Sequence, residues 1–299
     1  MSKELILITG GNGMFAKELC KVLKMSYEVR FLSRKANKPI HYRWDISSGF
    51  IDERAFDGVQ HIVHLAGASI GEKRWTKSRK QEILDSRVQS AEILLNALKK
   101  HRIRLKTFIS ASAVGYYGTK TTENIYTENS PKGNDFLSDV CQQWEAVADK
   151  FNILSDRVLK LRLGVIISKN GGILSKMLPI TKIGLGAVLG NGKQYIPWID
   201  IADLVDVTQF LLEEKNASGV FNIVAPEHIS NKNFTHSLAT VVGRKIIFPP
   251  LPKYLIQCLF GEASVLLLQG SRIRAERLEK LGYDFQFKTL LASLKHNLS

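Results

Sequence analysis

The stretch Leu5-Ile6-Leu7-Ile8-Thr9-Gly10-Gly11-Asn12-Gly13-Met14-Phe15-Ala16 constrains the fold more than any other part of the chain. An unbroken apolar run ending in a glycine cluster reads as a strand buried on both faces that turns sharply into a helix. Gly10 allows the tight turn, Gly13 lets the main chain approach a pyrophosphate, and the small Ala16 lets the helix lie close to the strand. The helix would present unpaired N–H groups and the positive end of its dipole to the phosphates. Its amphipathic spacing is carried by Phe15, Leu19, Val22 and Leu23. A nucleotide-phosphate cradle is expected here rather than a plain turn.

Further strands are predicted at Glu28–Leu32, His41–Trp44, His61–Gly67, Lys106–Ser112 and Val158–Ile167, with helices over most of Trp75–His101 and over Phe136–Phe151. This alternation implies right-handed crossovers and an α/β fold with a doubly wound parallel sheet. Past Gly171-Gly172 the pattern changes. A glycine-rich loop, Gly184 to Gly192, leads to Tyr195–Asp200, a helix near Ala202–Lys215 and a strand at Val220–Val224, and short helices follow the Pro249-Pro250-Leu251-Pro252 break. Residues 1–167, with parts of 195–225, are expected to form the dinucleotide-binding domain. Residues 168–299 would make a smaller substrate-side region, with a helical domain over about 247–299.

A composition of 44% hydrophobic and 23% charged residues suits a soluble globular chain. Only Met1 to Glu4 precede the first strand, and Gly261 and Glu262 interrupt the apolar stretch Tyr254–Leu268, so neither a secretory signal nor a membrane span is expected, and the location would be cytoplasmic. The three cysteines, Cys20, Cys141 and Cys258, lie far apart and form no ligand-spaced set with the seven histidines, so no metal site is expected. The 42 Lys and Arg outnumber 28 Asp and Glu, but no zinc finger or aromatic-basic signature accompanies them, and nucleic acid is not the expected partner. Lys99, Lys100, Arg102, Arg104 and Lys106 fall at the far edge of the sheet as a solvated face. Arg34, Lys35, Lys73 and Arg74 follow strand ends, where such sheets bind ligands, and are the better candidates for anion contacts.

The end of the second strand selects the dinucleotide. An acidic residue there would bond the ribose 2′-hydroxyl and repel a 2′-phosphate, whereas this chain carries Ser33 and Arg34. A guanidinium grips phosphate oxygens and stacks on adenine, which predicts NADP(H) over NAD(H).

Several motifs then add up: Thr9-Gly-x-x-Gly13-x-x-Ala16, His64-Leu-Ala-Gly-Ala-Ser-Ile70, Lys73-Arg-Trp75, Ile83-Leu-Asp-Ser-Arg87, Ser112-Ala-Val-Gly-Tyr-Tyr-Gly118, Trp144-Glu145, Arg162-x-Gly164 and Pro197-Trp-Ile-Asp-Ile-Ala-Asp203. Together they resemble the extended short-chain dehydrogenase/reductase superfamily, and more narrowly its sugar-nucleotide epimerase-like branch (NAD-dependent epimerase/dehydratase) with a small C-terminal helical domain. Gly261-Glu262, Gly270 and Gly282-Tyr283 resemble that terminal domain. The resemblance implies a Rossmann-type domain that binds NADP(H). Thr9, Gly10, Asn12, Gly13, Met14 and Phe15 would meet the cofactor at the cradle, and Ser33 and Arg34 its adenosine phosphate. Asp45 and Ile46 would meet the adenine, and Leu65, Ala66 and Gly67 the ribose. Arg87, Ser110, Arg162 and Gly164 would complete the cofactor-binding set. The small-molecule substrate would be polar, with Arg74 or Arg87 suited to an anionic group, and Trp75, Trp198, Asp200 and Asp203 are candidates for its side of the cleft. The resemblance leaves a monomer and a homodimer both open.

Ser112 matches the superfamily's active-site serine. Its general acid/base, however, is a tyrosine four residues before a lysine on the next helix, and alignment on Trp144-Glu145 puts Leu137 and Cys141 there. Leucine has no proton to exchange, and a neutral thiol on an apolar face cannot replace the lysine charge. Tyr116 and Tyr117 are the nearest phenols, and Tyr117, followed by Gly118, is the candidate proton partner beside Ser112. Two readings follow: an oxidoreductase or epimerase-type enzyme with an unorthodox proton donor, or a catalytically silent NADP(H) sensor or scaffold.

Overall fold

The computed structural model describes residues 3–36 and 38–299 of the chain. Strand β1, Leu5–Thr9, is buried along its whole length, as a central parallel strand must be. In chain order the other strands of the main sheet are β2, Glu28–Ser33; β3, His41–Asp45; β4, Phe50–Ile51; β5, Val59–His64; β6, Leu105–Ala113; and β7, Ser155–Leu163. The chain then enters a smaller sheet made of β8, Val165–Ser168; β9, Gly171–Gly172; and β10, Trp198–Asp200, before β11, Gly219–Ile223, rejoins the large one. The large sheet has eight strands in the order β11-β7-β6-β5-β1-β2-β3-β4, all parallel except β4, which runs antiparallel to β3. Its order reverses direction between β1 and β5, the topological switch point where such sheets bind ligands.

Helices cover both faces. Helix α1, Met14–Leu23, buries Phe15, Ala16, Leu19 and Leu23, and each fully buried leucine contributes about 1.5–3 kcal/mol. It shares one core with α5, Ile201–Glu213, while α2, Lys77–Lys100, and α3, Phe136–Asp149, share the core on the opposite face. The sixth predicted strand, Val158–Ile167, is in fact two. At Gly164 the chain leaves β7 for the smaller sheet, because an added Cβ would lie 2.8 Å from the Pro197 carbonyl oxygen and only glycine permits that approach.

A third core lies between α4, Leu174–Lys182; α6, Asn231–Val241; and α8, Leu290–Leu298. Helix α7, Lys253–Phe260, follows the proline break and stops at Gly261, whose φ of +59° glycine adopts without strain. Two carboxylates join this part to the sheet. Asp203 accepts from the backbone N–H of Gln286 at 2.8 Å and of Phe287 at 3.0 Å. Asp200 caps α5 through Ala202 N–H at 2.8 Å and accepts from Asn297 Nδ2 at 2.8 Å and from the Ser293 hydroxyl. Both are thus spent on fold closure, and Trp198 is wholly buried, so these three candidates for the substrate side prove to be structural. None of the helices among the described residues is long and apolar enough to cross a membrane.

Candidate functional site

The turn between β1 and α1 is built from main chain. Gly10 has φ +71° and its carbonyl accepts from Gly13 N–H at 2.8 Å, closing the tight turn. A Cβ on Gly10 would lie 3.0 Å from the Leu65 carbonyl oxygen, and one on Gly11 would lie 2.7 Å from the Phe31 ring. Gly13 is the N-cap of α1, with no side-chain cap and no acidic residue in the first turn, so the positive helix end has no internal anion. Asn12 and Gly13 are exposed and Met14 half-buried, whereas Phe15 faces the core. The expected contact from Phe15 is thereby limited to its backbone.

Thr9 does not face this opening. Its hydroxyl accepts from Leu65 N–H at 3.0 Å and Ala66 N–H at 3.1 Å, and it pairs with His64 Nδ1 at 2.9 Å. With its acceptor capacity filled by two N–H groups, Thr9 donates its proton to Nδ1, so His64 carries its hydrogen on Nε2, 3.2 Å from Ser90 Oγ. Burial pushes the His64 pKa down to about 4 and keeps the ring neutral. This lattice fixes the loop after β5 beside the glycine turn, leaving Leu65 half-buried, Ala66 buried and Gly67 exposed.

At the end of β2, Ser33 is buried, donates to the Lys35 carbonyl at 2.7 Å and pairs with His41 Nδ1 at 3.2 Å, so its hydroxyl shapes the turn. Arg34 is exposed directly after it. The Glu82 carboxyl is held below the usual range, first by its hydrogen bond to Arg79 and also by the charges of Lys73 and Arg34. Asp45 Oδ1 accepts from Ser47 N–H at 3.0 Å and Ser47 Oγ at 2.7 Å, closing the turn in which Ile46 is half-buried. Arg74 donates to the Cys258 carbonyl at 3.0 Å, and Trp75 is buried with Nε1 bonded to the Ile70 carbonyl at 2.9 Å.

Beyond β6 lies a second cluster, made of buried side chains. Ser112 Oγ donates to Glu145 Oε1 at 2.7 Å. Arg162 grips the same carboxylate with two parallel bonds, Nε to Oε1 at 2.7 Å and Nη2 to Oε2 at 2.8 Å. Its Nη1 donates to Tyr117 Oη at 2.9 Å, and Tyr117 in turn donates to Asn222 Oδ1 at 2.7 Å. Burial opposes the Arg162 charge, but Glu145 and Tyr117 outweigh it and raise the guanidinium further. Burial pushes the Tyr117 phenol up to about 12. The expected proton partner is therefore a brace: its one proton goes to Asn222, its oxygen receives Arg162, and the phenol is 4% exposed. Arg162 and Ser110 depart from their expected cofactor contacts for the same reason, since Arg162 is committed to Glu145 and the buried Ser110 hydroxyl donates to the Ala111 carbonyl at 3.0 Å. Gly164 serves the strand junction described above.

Residues 6–224 match the model of the NAD dependent epimerase/dehydratase family. The chain belongs to that family. Residues 251–296 match a domain of unknown function, DUF1731. An epimerase family protein of Mycobacterium leprae, ML0860, is 34% identical over 300 residues, covering 98% of this chain and 95% of the relative. The crystal structure of human epimerase family protein SDR39U1 with NADPH superposes with a TM-score of 0.86 at 31% identity, covering 98% of each chain. A nucleoside-diphosphate sugar epimerase structure from Corynebacterium glutamicum gives 0.79 at 31% identity, covering 99% of this chain and 58% of that one.

Within this epimerase-family chain, α3 turns Leu137 and Cys141 toward the short turn Val114–Tyr117, where a Cβ on Gly115 would lie 3.3 Å from Leu137 Cβ and 3.7 Å from Cys141 Sγ. Both are buried, and burial together with the Glu145 charge pushes the Cys141 thiol up to about 12. Glu145 and Asn222 are the members of the cluster that residue patterning alone did not mark as site residues. The signal for Glu145 was available: it lies one helical turn beyond Cys141 on the apolar stripe of α3, where a carboxylate needs a buried partner. Asn222, 105 residues from Tyr117, gave no such signal.

Proposed function

We propose that this chain binds NADP(H) and acts as an oxidoreductase or epimerase-type enzyme of the extended short-chain dehydrogenase/reductase class on a polar small molecule. The glycine cradle at the switch point carries this reading, because Gly10 at positive φ lies against the Leu65 carbonyl, exposed Gly13 presents bare main chain, and the uncapped helix end suits a pyrophosphate. Gly10 to Met14 would hold the pyrophosphate, Arg34 the 2′-phosphate, Asp45 and Ile46 the adenine end, and Leu65 to Gly67 the ribose. A dinucleotide held there would supply hydride-transfer chemistry. The human relative crystallised with NADPH and the sugar-epimerase relative favour a dinucleotide beside a sugar-nucleotide-like substrate. Residues 168–299 would supply the substrate side.

Ser112 is the proposed hydroxyl partner for substrate, and because it is 2% exposed within the cluster this role requires the cluster to open toward the cleft. Because it donates to Glu145, its lone pairs are what it can offer to a substrate hydroxyl. The test is NADPH consumption over a panel of nucleotide sugars and carbonyl compounds. Once a substrate is found, Ser112→Ala should slow turnover about tenfold or more, and an unchanged rate would overturn the assignment. A second reading is favoured by one observation: Tyr117 is bound on both sides while Leu137 and Cys141 stand where a proton-transfer pair is expected. On that reading the chain is a silent NADP(H) sensor or scaffold, and it predicts tight cofactor binding with no turnover across the panel.

A further inference from the structure

Arg87 lies on α2 at the level of the loop after β5, and it is 6% exposed. Its Nη1 donates to the Ile83 carbonyl at 2.8 Å and its Nη2 to the Ala68 carbonyl at 3.1 Å, while the buried Nε has no acceptor. One side of the guanidinium faces the Trp144 ring, with Cζ 4.9 Å from the ring centre. Gly67 covers the group elsewhere, and a Cβ on that residue would lie 3.2 Å from Cζ, so only a glycine backbone separates the cation from the exposed loop.

No carboxylate balances this charge among the described residues. The titratable groups that bear on it are the Cys141 thiol, neutral near pH 7, and the like charge of Arg79. Arg79 differs in having Glu82 as a partner at 2.6 Å. Burial, with Arg79, lowers the Arg87 pKa to about 10, which still leaves it charged at neutral pH. A buried cation bonded only to neutral acceptors, the two carbonyls and the Ser86 hydroxyl at 3.5 Å, is costly to the fold, and its field is little screened.

With the adenine end on the β2-β3 side of the switch point, the nicotinamide half of a dinucleotide crossing it would fall on the β5-β6 side, where Gly67 follows β5. We infer that Arg87 projects its uncompensated charge through the backbone of Gly67 onto that half, so that the site favours the reduced, uncharged ring over the oxidised, cationic one. The inference rests on the NADP(H) reading above. Arg87 makes no contact in this role. It acts as an electrostatic positioning residue, and its effect is read in the cofactor's redox state.

The experiment titrates NADPH and NADP⁺ into the full-length wild type, Arg87→Lys and Arg87→Met, with thermal unfolding measured on each. Wild type should prefer NADPH by about tenfold or more, as expected for one unit charge acting across several ångströms in a partly buried site. Arg87→Lys should keep the preference, and Arg87→Met should bring the two affinities within about twofold without lowering the melting temperature, since it removes an unpaired buried charge. Should the Met variant fail to fold, Arg87→Gln removes the charge while retaining a donor for the Ala68 carbonyl. Equal affinities in wild type, or an unchanged ratio in the uncharged variants, would overturn the inference. Failure of wild type to bind either form would instead overturn the cofactor reading on which it rests.

Discussion

The cradle after β1 and the cluster beyond β6 solve different problems with different materials. The cradle is made of backbone: a glycine with positive φ, a close approach to the Leu65 carbonyl and an uncapped helix end. The cluster is made of side chains from five separate elements, with Ser112, Glu145, Arg162, Tyr117 and Asn222 joined in one buried chain of hydrogen bonds. The first leaves its polar groups available to a ligand, whereas the second consumes nearly all of its own. A binding site and a rigid support thus lie at neighbouring strand ends, and only the cradle is built mainly to receive something.

That contrast breaks most visibly at Glu145. Glu145→Leu strands the Arg162 guanidinium, and the expected loss is about 3–5 kcal/mol in urea unfolding. A loss below 1 kcal/mol would mean that the pair is not sealed from water. The contrast sharpens with pH at His64 on β5, which ties β1 to α2 through Thr9 and Ser90 beside the cradle. Its folded pKa of about 4 lies below the ordinary 6.5, so the stability it contributes is complete above about pH 6.5 and is lost as pH falls toward 4. The full loss is about 3 kcal/mol, and a stability flat between pH 7 and pH 4.5 would contradict a neutral buried ring.

Gly10→Ala addresses the cradle. Positive φ and the Leu65 approach together cost about 1–3 kcal/mol of stability, and NADPH binding should be lost while the cluster remains intact. Retained binding would show that the turn is not the cradle. The smallest effect is expected for Tyr117→Phe, which removes one bond to Asn222 and one from Arg162: about 1–2 kcal/mol of stability with NADPH affinity unchanged. A large fall in affinity would show that Tyr117 does more than brace the cluster.

The same contrast explains what the sequence revealed. Apolar runs and glycines act locally, so β1, the turn and the parallel alternation were legible from Leu5 to Ala16 onward. Belonging to an epimerase/dehydratase family was legible as well, because its motifs sit at those strand ends. The side-chain cluster was not, since Ser112 to Glu145 spans 33 positions and Tyr117 to Asn222 spans 105, and no periodicity encodes such pairings. Asp200 and Asp203 looked like site acids for a related reason: their partners, Asn297 and the 286–287 backbone, lie more than 80 residues away. The split of the predicted sixth strand at Gly164 escaped as well, because it depends on Pro197 approaching from another strand's entry.

On the proposed reading, the cradle and the Ser33-Arg34 end of β2 select a 2′-phosphorylated dinucleotide. Calorimetric titration with NADPH and with NADH under identical salt tests it directly. NADPH should bind tighter than NADH by about tenfold or more, with the gap closed by Arg34→Ala. NADH binding at least as tightly as NADPH would contradict it.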